Sequence, residues 1–309
     1  MILPMPQVSA KGIDLHYESI GRGEPMVLVM GIGAQLIYWP DGFCEALARR
    51  GFELIRFDNR DVGLSSKIHG AEVPTFGTMV LRAALGLPIA APYTLSDMAD
   101  DSAALLDALG FERAHLVGVS MGGMIAQTMA IRHPERLHSL TSIMSHTGDR
   151  RFMVSRPGAL RVLLGPAPQN RDEAADRAEA FYRAVGGPRF PLDIESVRKR
   201  AARSFDRCSY PVGFLRHLAA ILASGSRTAA LRQLTVPALV IHGSADPLIR
   251  PGGGRATARA IPGARLEIIE GMGHDLPEGA WPLIIDAIVS HARAAGSRRS
   301  AVNSSPGQL

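Results

Sequence analysis

The hydrophobic positions along the chain predict strands and helices that alternate. Continuous apolar runs, typical of strands buried on both faces, lie at residues 26–30, 114–119 and 238–242. Helices are predicted at residues 94–109, where apolar positions have helical spacing, and at residues 121–132. This alternation predicts an α/β fold with a mostly parallel central sheet that is flanked by helices on both faces.

Weaker patterns predict the remaining elements of this fold. Alternating or short apolar runs predict further strands at residues 12–18, 52–57, 140–144 and 265–269. Amphipathic stretches with proline near their starts or glycine after their ends predict helices at residues 40–50, 79–85 and 277–294.

The alternation stops between residues 146 and 232, which are helical in character and hold no convincing strand. An insertion of this size between two core strands predicts a cap that folds over the edge of the sheet. We therefore expect a core of residues 1–145 and 233–296 and a helical cap of residues 146–232. Residues 297–309 are polar and aperiodic, so we expect a disordered tail there.

The composition is that of a soluble globular protein, with 46% hydrophobic and 20% charged residues in 309. No apolar run is long enough to cross a membrane, and the N-terminus lacks the pattern of a signal peptide. The expected location is therefore the cytoplasm. Two distant cysteines, Cys44 and Cys208, predict neither a disulfide framework nor a zinc site.

The net charge of +5 is concentrated in one segment of the chain. Between Arg150 and Arg207 there are 13 basic and 7 acidic residues. The acids are interleaved with the arginines, as on solvated helix faces, so no nucleic-acid partner is expected. An anionic partner and a preference for acidic substrates are the alternatives for this segment.

The strongest chemical motif is GVSMG at residues 118–122, which follows an apolar strand and opens a helix. A serine in a sharp turn at this place is typical of a nucleophile elbow, whose hydroxyl is exposed above the edge of the sheet. The helix N-terminus favours the negative charge that develops there. Ser120 is therefore the predicted nucleophile, and a structural glycine-rich turn is the alternative.

A serine hydroxyl needs a base, and the chain offers ten histidines. His274 directly follows the last predicted strand, so it lies at the same sheet edge as Ser120 and is the predicted base. His242, within a strand, is interpreted as structural. His146 is the other histidine near the carboxyl end of a strand.

The base in turn needs a carboxylate that fixes its tautomer. Asp246 follows the strand at residues 238–242 and gives the chain order Ser, Asp, His, which is typical of this fold. Asp149 and Asp275 are the alternatives, although Asp275 is adjacent to the histidine and would reach the far ring nitrogen with difficulty.

Ester attack creates an oxyanion that preplaced donors must stabilise. One predicted donor is the backbone N–H of Met121, directly after the nucleophile. The second is the backbone N–H of Ile32, in the loop after the strand at residues 26–30, where Gly31 and Gly33 permit an unusual backbone.

These residues together make the chain similar to the α/β-hydrolase superfamily over residues 11–294. Residues 58–65 (DNRDVGLS) resemble the D-x-R-G-x-G-x-S segment of that superfamily. Within it, the chain most resembles the aclacinomycin methylesterase group at residues 39–41 (WPD), 60–61 (RD), 120–124 (SMGGM) and 271–274 (GMGH). The resemblance implies hydrolysis of carboxylic esters without a metal or an organic cofactor.

The chain departs from the superfamily pattern at two positions. Met30 precedes Gly31 where many members have His-Gly, so the hydrogen bonds of that histidine are lost while the backbone donor remains. Asp61 replaces the glycine that is common in the D-x-R-G segment, which affects a loop near the pocket.

The leading hypothesis is a serine carboxylesterase that cleaves small to medium apolar esters through an acyl-enzyme. Three other reactions of the same triad stay open: C–C bond hydrolysis, lactone hydrolysis and perhydrolysis. A non-catalytic ligand receptor is a further alternative. The expected partner is a small-molecule ester; no stable membrane association is expected, and a homodimer is compatible with the sequence. Apolar side chains expected to supply the pocket wall are Met153, Leu160, Leu163, Leu164, Phe181, Tyr182, Phe205, Tyr210, Phe214, Phe76, Met79, Leu81 and Leu85.

Overall fold

A computed structural model describes residues 7–10 and 12–303, and these form one eight-stranded sheet. The strands are β1 (Gln7–Ala10), β2 (Ile13–Gly21), β3 (Glu24–Val29), β4 (Phe52–Phe57), β5 (Ala114–Val119), β6 (Leu137–Ile143), β7 (Ala238–Gly243) and β8 (Arg265–Ile269). Their spatial order is β1-β2-β4-β3-β5-β6-β7-β8. Strand β2 pairs antiparallel with β1 and β4, and the other pairs are parallel.

Helices occupy both faces of this sheet and the long connection between β6 and β7. They are α1 (Asp41–Ala48), α2 (Phe76–Leu85), α3 (Leu95–Ala108), α4 (Met121–Arg132), α5 (Pro157–Leu163), α6 (Arg171–Val185), α7 (Ile194–Arg207), α8 (Pro211–Ser224), α9 (Thr228–Leu231), α10 (Pro251–Ala260) and α11 (Trp281–Asn303). The predicted α/β architecture, a mostly parallel sheet between helices, is confirmed.

Two apolar clusters hold the helices against the sheet. On one face α4 packs over β5 and β6, and α3 packs against α4 and β1. On the other face α1 packs over β2 and β4, and α11 packs over β6 and β7. Every residue of β5 and β7 is buried, which explains their continuous apolar sequences. The central strands are therefore enclosed, and their carboxyl ends are the free edge on which side chains can meet a ligand.

Local signals fix where the helices begin. Helix α3 starts at a capping box, in which the Thr94 hydroxyl accepts from the backbone at the first turn and the Asp97 carboxylate accepts from the Thr94 N–H at 2.7 Å. Such reciprocal bonds satisfy two otherwise free N–H groups. This cap lies at the start of the helix predicted for residues 94–109.

The structure differs from the sequence prediction in three places. Strand β1 was not predicted, because it has only four residues. Helix α10 was not predicted, because three glycines stand near its start and glycine disfavours helix. Helix α11 continues to Asn303 through residues assigned to a tail, since alanine and arginine favour helix without an apolar stripe. Residues 304–309 of that predicted tail lie outside the described residues.

The connection between β6 and β7 carries five helices, α5 to α9, and no strand among the described residues. Helix α8 contacts α2 and α3, and α7 contacts the segment before α1. These contacts agree with the expected cap, whose boundaries at residues 146 and 232 stay a prediction. Among the described helices, none combines the length and the apolar character that a bilayer crossing demands.

Candidate active site

The turn between β5 and α4 carries Ser120 in a strained backbone conformation. Its φ of 54° and ψ of −119° lie where residues other than glycine are rare, at a cost of about 1–3 kcal/mol. A Cβ at Gly118 would overlap the carbonyl of Gly122, and a Cβ at Gly122 would overlap that of Val29. The two glycines therefore permit the sharp turn that sets Ser120 at the N-terminus of α4.

His274 lies in the loop that follows β8, with its ring against Ser120. Its Nε2 atom is 3.1 Å from Ser120 Oγ, and the residue is only 7% exposed. The backbone N–H of His274 donates to the carbonyl of Val185 at 2.8 Å, so the end of α6 anchors this loop. The imidazole is thereby placed to accept the hydroxyl proton of Ser120 directly.

Asp246, in the loop after β7, lies behind the imidazole. Its Oδ2 atom is 2.7 Å from His274 Nδ1, and its Oδ1 atom accepts the N–H groups of Leu248 and Ile249 at 2.9 Å each. Burial alone would raise the pKa of this carboxyl, but His274 and the nearby His242 hold it well below its usual range. The carboxylate is therefore ionised and fixed in orientation.

The other carboxylates and histidines considered above do not occupy these positions. Asp149 accepts from the backbone and side chain of Arg151. Among the described residues, no hydrogen bond joins the Asp275 carboxyl to the imidazole of His274. Burial raises the pKa of Asp275 to about 6. His146 is buried and accepts a backbone N–H through Nδ1.

The predicted oxyanion-hole residues lie next to Ser120. Met121 begins α4, and Ile32 lies in the loop after β3, where a Cβ on Gly31 would come within 3.3 Å of the Ser120 Cβ. Within residues 12–303, neither the Met121 nor the Ile32 N–H donates to a protein acceptor. Two free N–H groups beside a hydroxyl are what a developing oxyanion requires.

Comparison with known proteins decides the family. Residues 24–279 match the family model described as the alpha/beta hydrolase fold. The chain belongs to the α/β-hydrolase family. It is 30% identical to rhodomycin D methylesterase DauP of Streptomyces sp. strain C5 and to rhodomycin D methylesterase DnrP of Streptomyces peucetius, in each case over 95% of this chain and 99% of the relative. The resemblance to the aclacinomycin methylesterase group is confirmed.

A solved structure of similar shape is the meta-cleavage product hydrolase CumD of Pseudomonas fluorescens IP01. Its TM-score is 0.74 at 19% identity, and the match covers 94% of this chain and 98% of the other. At this identity the likeness concerns the fold. The methylesterases are the relatives that bear on the enzyme class, and they confirm the prediction of a serine hydrolase of the esterase type.

This α/β-hydrolase tolerates Asp61 at a position where glycine is common because aspartate can adopt a left-handed backbone. The φ of Asp61 is 63°, a region that glycine favours and aspartate enters more easily than most residues. Its Oδ1 atom accepts the Ile68 N–H at 2.7 Å and an Arg216 N–H at 3.1 Å. The predicted change in this loop is therefore a link between the loop and α8.

A second arginine, which the sequence analysis did not single out, links α7 to the same segment. Arg207 Nη1 donates to Asp58 Oδ2 at 2.6 Å and to Gln35 Oε1 at 2.7 Å. Asp58 is fully buried, and its carboxylate also accepts the N–H groups of Leu36 and Leu64. Because the two partners are 149 positions apart in sequence, no local pattern could reveal the pair.

We expect Arg207→Met to lower the free energy of unfolding by about 3–5 kcal/mol, because it leaves the Asp58 carboxylate buried without its cation. Chemical denaturation of the purified protein measures this change. Arg203→Met is the matched control on the same helix, since Arg203 and its partner Asp41 are each 59% exposed and 3.9 Å apart. Equal effects of the two substitutions would contradict the prediction.

The side chains of Ser120 and His274 open into a cavity of about 1000 Å³. Its wall includes Ser120 and His274, and much of it is apolar. The expected wall residues that line it are Leu163, Leu164, Phe181, Tyr182, Phe205, Tyr210, Phe214 and Phe76. The expected residues that do not are Met153, Leu160, Met79, Leu81 and Leu85. Met79 is instead buried against α8, and Leu81 and Leu85 face solvent.

Proposed function

We propose that this protein hydrolyses carboxylic esters through an acyl-enzyme on Ser120. The observation that carries the proposal is the hydrogen-bonded line from Ser120 Oγ through His274 to Asp246, with distances of 3.1 and 2.7 Å. It lies at the wall of a large apolar cavity, next to two N–H groups that have no acceptor in the described part of the chain.

In the first step, Ser120 Oγ attacks the ester carbonyl carbon while His274 Nε2 accepts the hydroxyl proton. The imidazolium that forms keeps its Nδ1–H directed at the Asp246 carboxylate, which stabilises the positive charge. The carbonyl oxygen becomes an oxyanion and accepts from the N–H groups of Met121 and Ile32. The hydroxyl, the imidazole, the carboxylate and the two N–H groups lie together before the substrate binds, so little reorganisation accompanies the charge movement.

The tetrahedral intermediate then collapses toward the acyl-enzyme. The bond between the carbonyl carbon and the alcohol oxygen breaks, and His274 Nε2–H gives its proton to the departing alkoxide. A water molecule next repeats the attack, with His274 as base, and Ser120 regains its proton as the acid leaves. The overall reaction consumes one water and yields one alcohol and one carboxylic acid.

The size and the apolar wall of the cavity support a substrate whose acyl part is apolar and bulky. A cavity of about 1000 Å³ is at the upper end of the range of about 300–1000 Å³ that is usual for small-molecule sites. DauP and DnrP are named as rhodomycin D methylesterases. We therefore propose methyl and other short-alcohol esters of bulky apolar acids as the favoured class.

A substrate panel on the purified protein tests this proposal. We expect kcat/KM to be greater for methyl esters of bulky apolar acids than for methyl esters of short aliphatic acids, and lower again for lactones and for C–C substrates. Turnover of C–C substrates above that of every ester would reject ester hydrolysis as the main reaction. Absence of all turnover together with slow fluorophosphonate labelling would favour a ligand receptor.

A further inference from the structure

A fully buried histidine outside the proposed triad connects two loops of the site. His217, on α8, is 0% exposed. Its Nδ1 atom lies 3.1 Å from the Gly33 backbone nitrogen, and its Nε2 atom lies 2.8 Å from the Arg60 carbonyl oxygen. Gly33 follows Ile32 in the loop after β3, and Arg60 lies in the loop after β4.

These two partners define the state of the ring. The Gly33 N–H can only donate, so His217 Nδ1 must carry a lone pair. The Arg60 carbonyl can only accept, so Nε2 must carry the hydrogen. Burial lowers the pKa of His217 to about 4, and the imidazole is therefore neutral at ordinary working pH. A protonated ring would direct an N–H at the N–H of Gly33.

The bond to Gly33 acts on the oxyanion loop itself. The Gly33 N–H and the Ile32 carbonyl belong to one peptide plane, so fixing that plane restricts the backbone of Ile32. The loop is closed on the other side by a turn, in which the Ala34 N–H donates to the Gly31 carbonyl at 3.3 Å. Gly33 has a φ of +64°, and a Cβ there would come within 2.9 Å of the Phe214 ring.

We propose that His217 is a positioning residue that holds the Ile32 N–H in place for the oxyanion. This inference rests on the proposed ester hydrolysis. The chain has Met30 in the loop after β3, where a histidine is common in the superfamily. The inference explains what fixes this loop instead: His217, which lies on α8 one turn after Phe214. Asn59 completes it from the other side by donating to the Met30 carbonyl at 3.1 Å.

Loss of this support should weaken the stabilisation of the transition state and leave the binding of the substrate almost unchanged. A displaced donor weakens the bond to the oxyanion but leaves the binding of the neutral ester almost unchanged. Removal of a whole oxyanion-hole donor costs about 10²–10³-fold in kcat. A displaced donor should cost less, so we expect a loss of about 10–100-fold in kcat with little change in KM.

Two amide variants separate the two ring contacts. In His217→Asn the side-chain oxygen can occupy the place of Nδ1 and accept from Gly33. In His217→Gln the amide occupies the place of Nε2, so the bond to Arg60 is kept and the acceptor for Gly33 is lost. We expect kcat within about 3-fold of wild type for the asparagine variant and about 10–100-fold lower for the glutamine variant, with KM within about 2-fold for both.

Affinity for a trifluoromethyl ketone, which forms an oxyanion on Ser120, provides a second readout. We expect it to fall in His217→Gln by the same factor as kcat/KM. His217→Met, which removes both contacts at similar volume, is the further variant if the glutamine variant does not fold. Circular dichroism and thermal melting establish the folded fraction of each protein.

Unchanged kcat in the folded glutamine or methionine variant would overturn the inference, as would equal losses in the asparagine and glutamine variants. A change in KM alone would overturn it too. The wild type is assayed beside them. If the wild type has no ester turnover, the proposed function fails; if it turns over esters and the variants match it, only the role of His217 fails.

Discussion

Ser120→Ala is expected to lower kcat for p-nitrophenyl esters by about 10⁵–10⁶-fold, which is the scale of triad knock-outs in serine hydrolases. The substitution removes the nucleophile and leaves the imidazole of His274 without a proton to accept. Alanine has the same backbone demands as serine at a φ of 54°, so we expect the melting temperature to stay within a few degrees. Steady-state kinetics and thermal melting measure the two effects.

Ser209→Ala is the matched control for this substitution, because Ser209 lines the same cavity and, among the described residues, the hydroxyl that lies against His274 Nε2 is that of Ser120. It should keep both turnover and labelling by a fluorophosphonate, and the Ser120 variant should lose both. Turnover near that of the wild type in a folded Ser120→Ala protein would eliminate the acyl-enzyme mechanism. Labelling that survives there would place the reactive group elsewhere.

The site was accessible from the sequence because its signals are local. The strands before Ser120, Asp246 and His274 are short apolar runs, and parallel strands bring their carboxyl ends to one edge of the sheet. Once the strand before each of these residues is identified, the residue itself can be identified from the sequence. The structure brings the three into contact in the expected order, although their roles stay proposals until the variants are assayed.

The contacts that support the site could not be found in this way. Asp58 and Arg207, or His217 and Gly33, are separated by 149 and 184 positions. Helical periodicity shows that α8 has an apolar face, but it does not show which loop that face meets. The departure at Met30 indicated that a support was missing, and only the packing of α8 shows where a histidine replaces it.

The cavity wall shows the same limit on a smaller scale. Phe76 and Met79 are both on α2, one turn apart, and the sequence favours both as wall residues. Phe76 lines the cavity, whereas Met79 is buried against α8. Spacing predicts that a helix has an inner side, but which of its inner residues reach the ligand depends on the crossing of α2 and α8.

Asp246→Asn is the second substitution with a very large expected effect, and its reason lies in the contacts of Oδ1. That atom accepts the N–H groups of Leu248 and Ile249, so the asparagine oxygen must take its place to keep both bonds. The asparagine NH₂ group then faces His274 Nδ1, which must offer a lone pair. The hydrogen of the imidazole is thereby forced onto Nε2, and this nitrogen can no longer accept the Ser120 proton.

We expect this variant to fold and to lose about 10³–10⁴-fold in kcat, as for the equivalent change in other serine triads. Asp275→Asn is the matched control, since it changes the neighbouring carboxyl, which makes no hydrogen bond to the imidazole among the described residues. It should keep kcat within about 3-fold of the wild type if tautomer control belongs to Asp246 alone. Comparable losses in the two variants would mean that both carboxyls orient the ring, and the single-carboxylate triad would have to be abandoned.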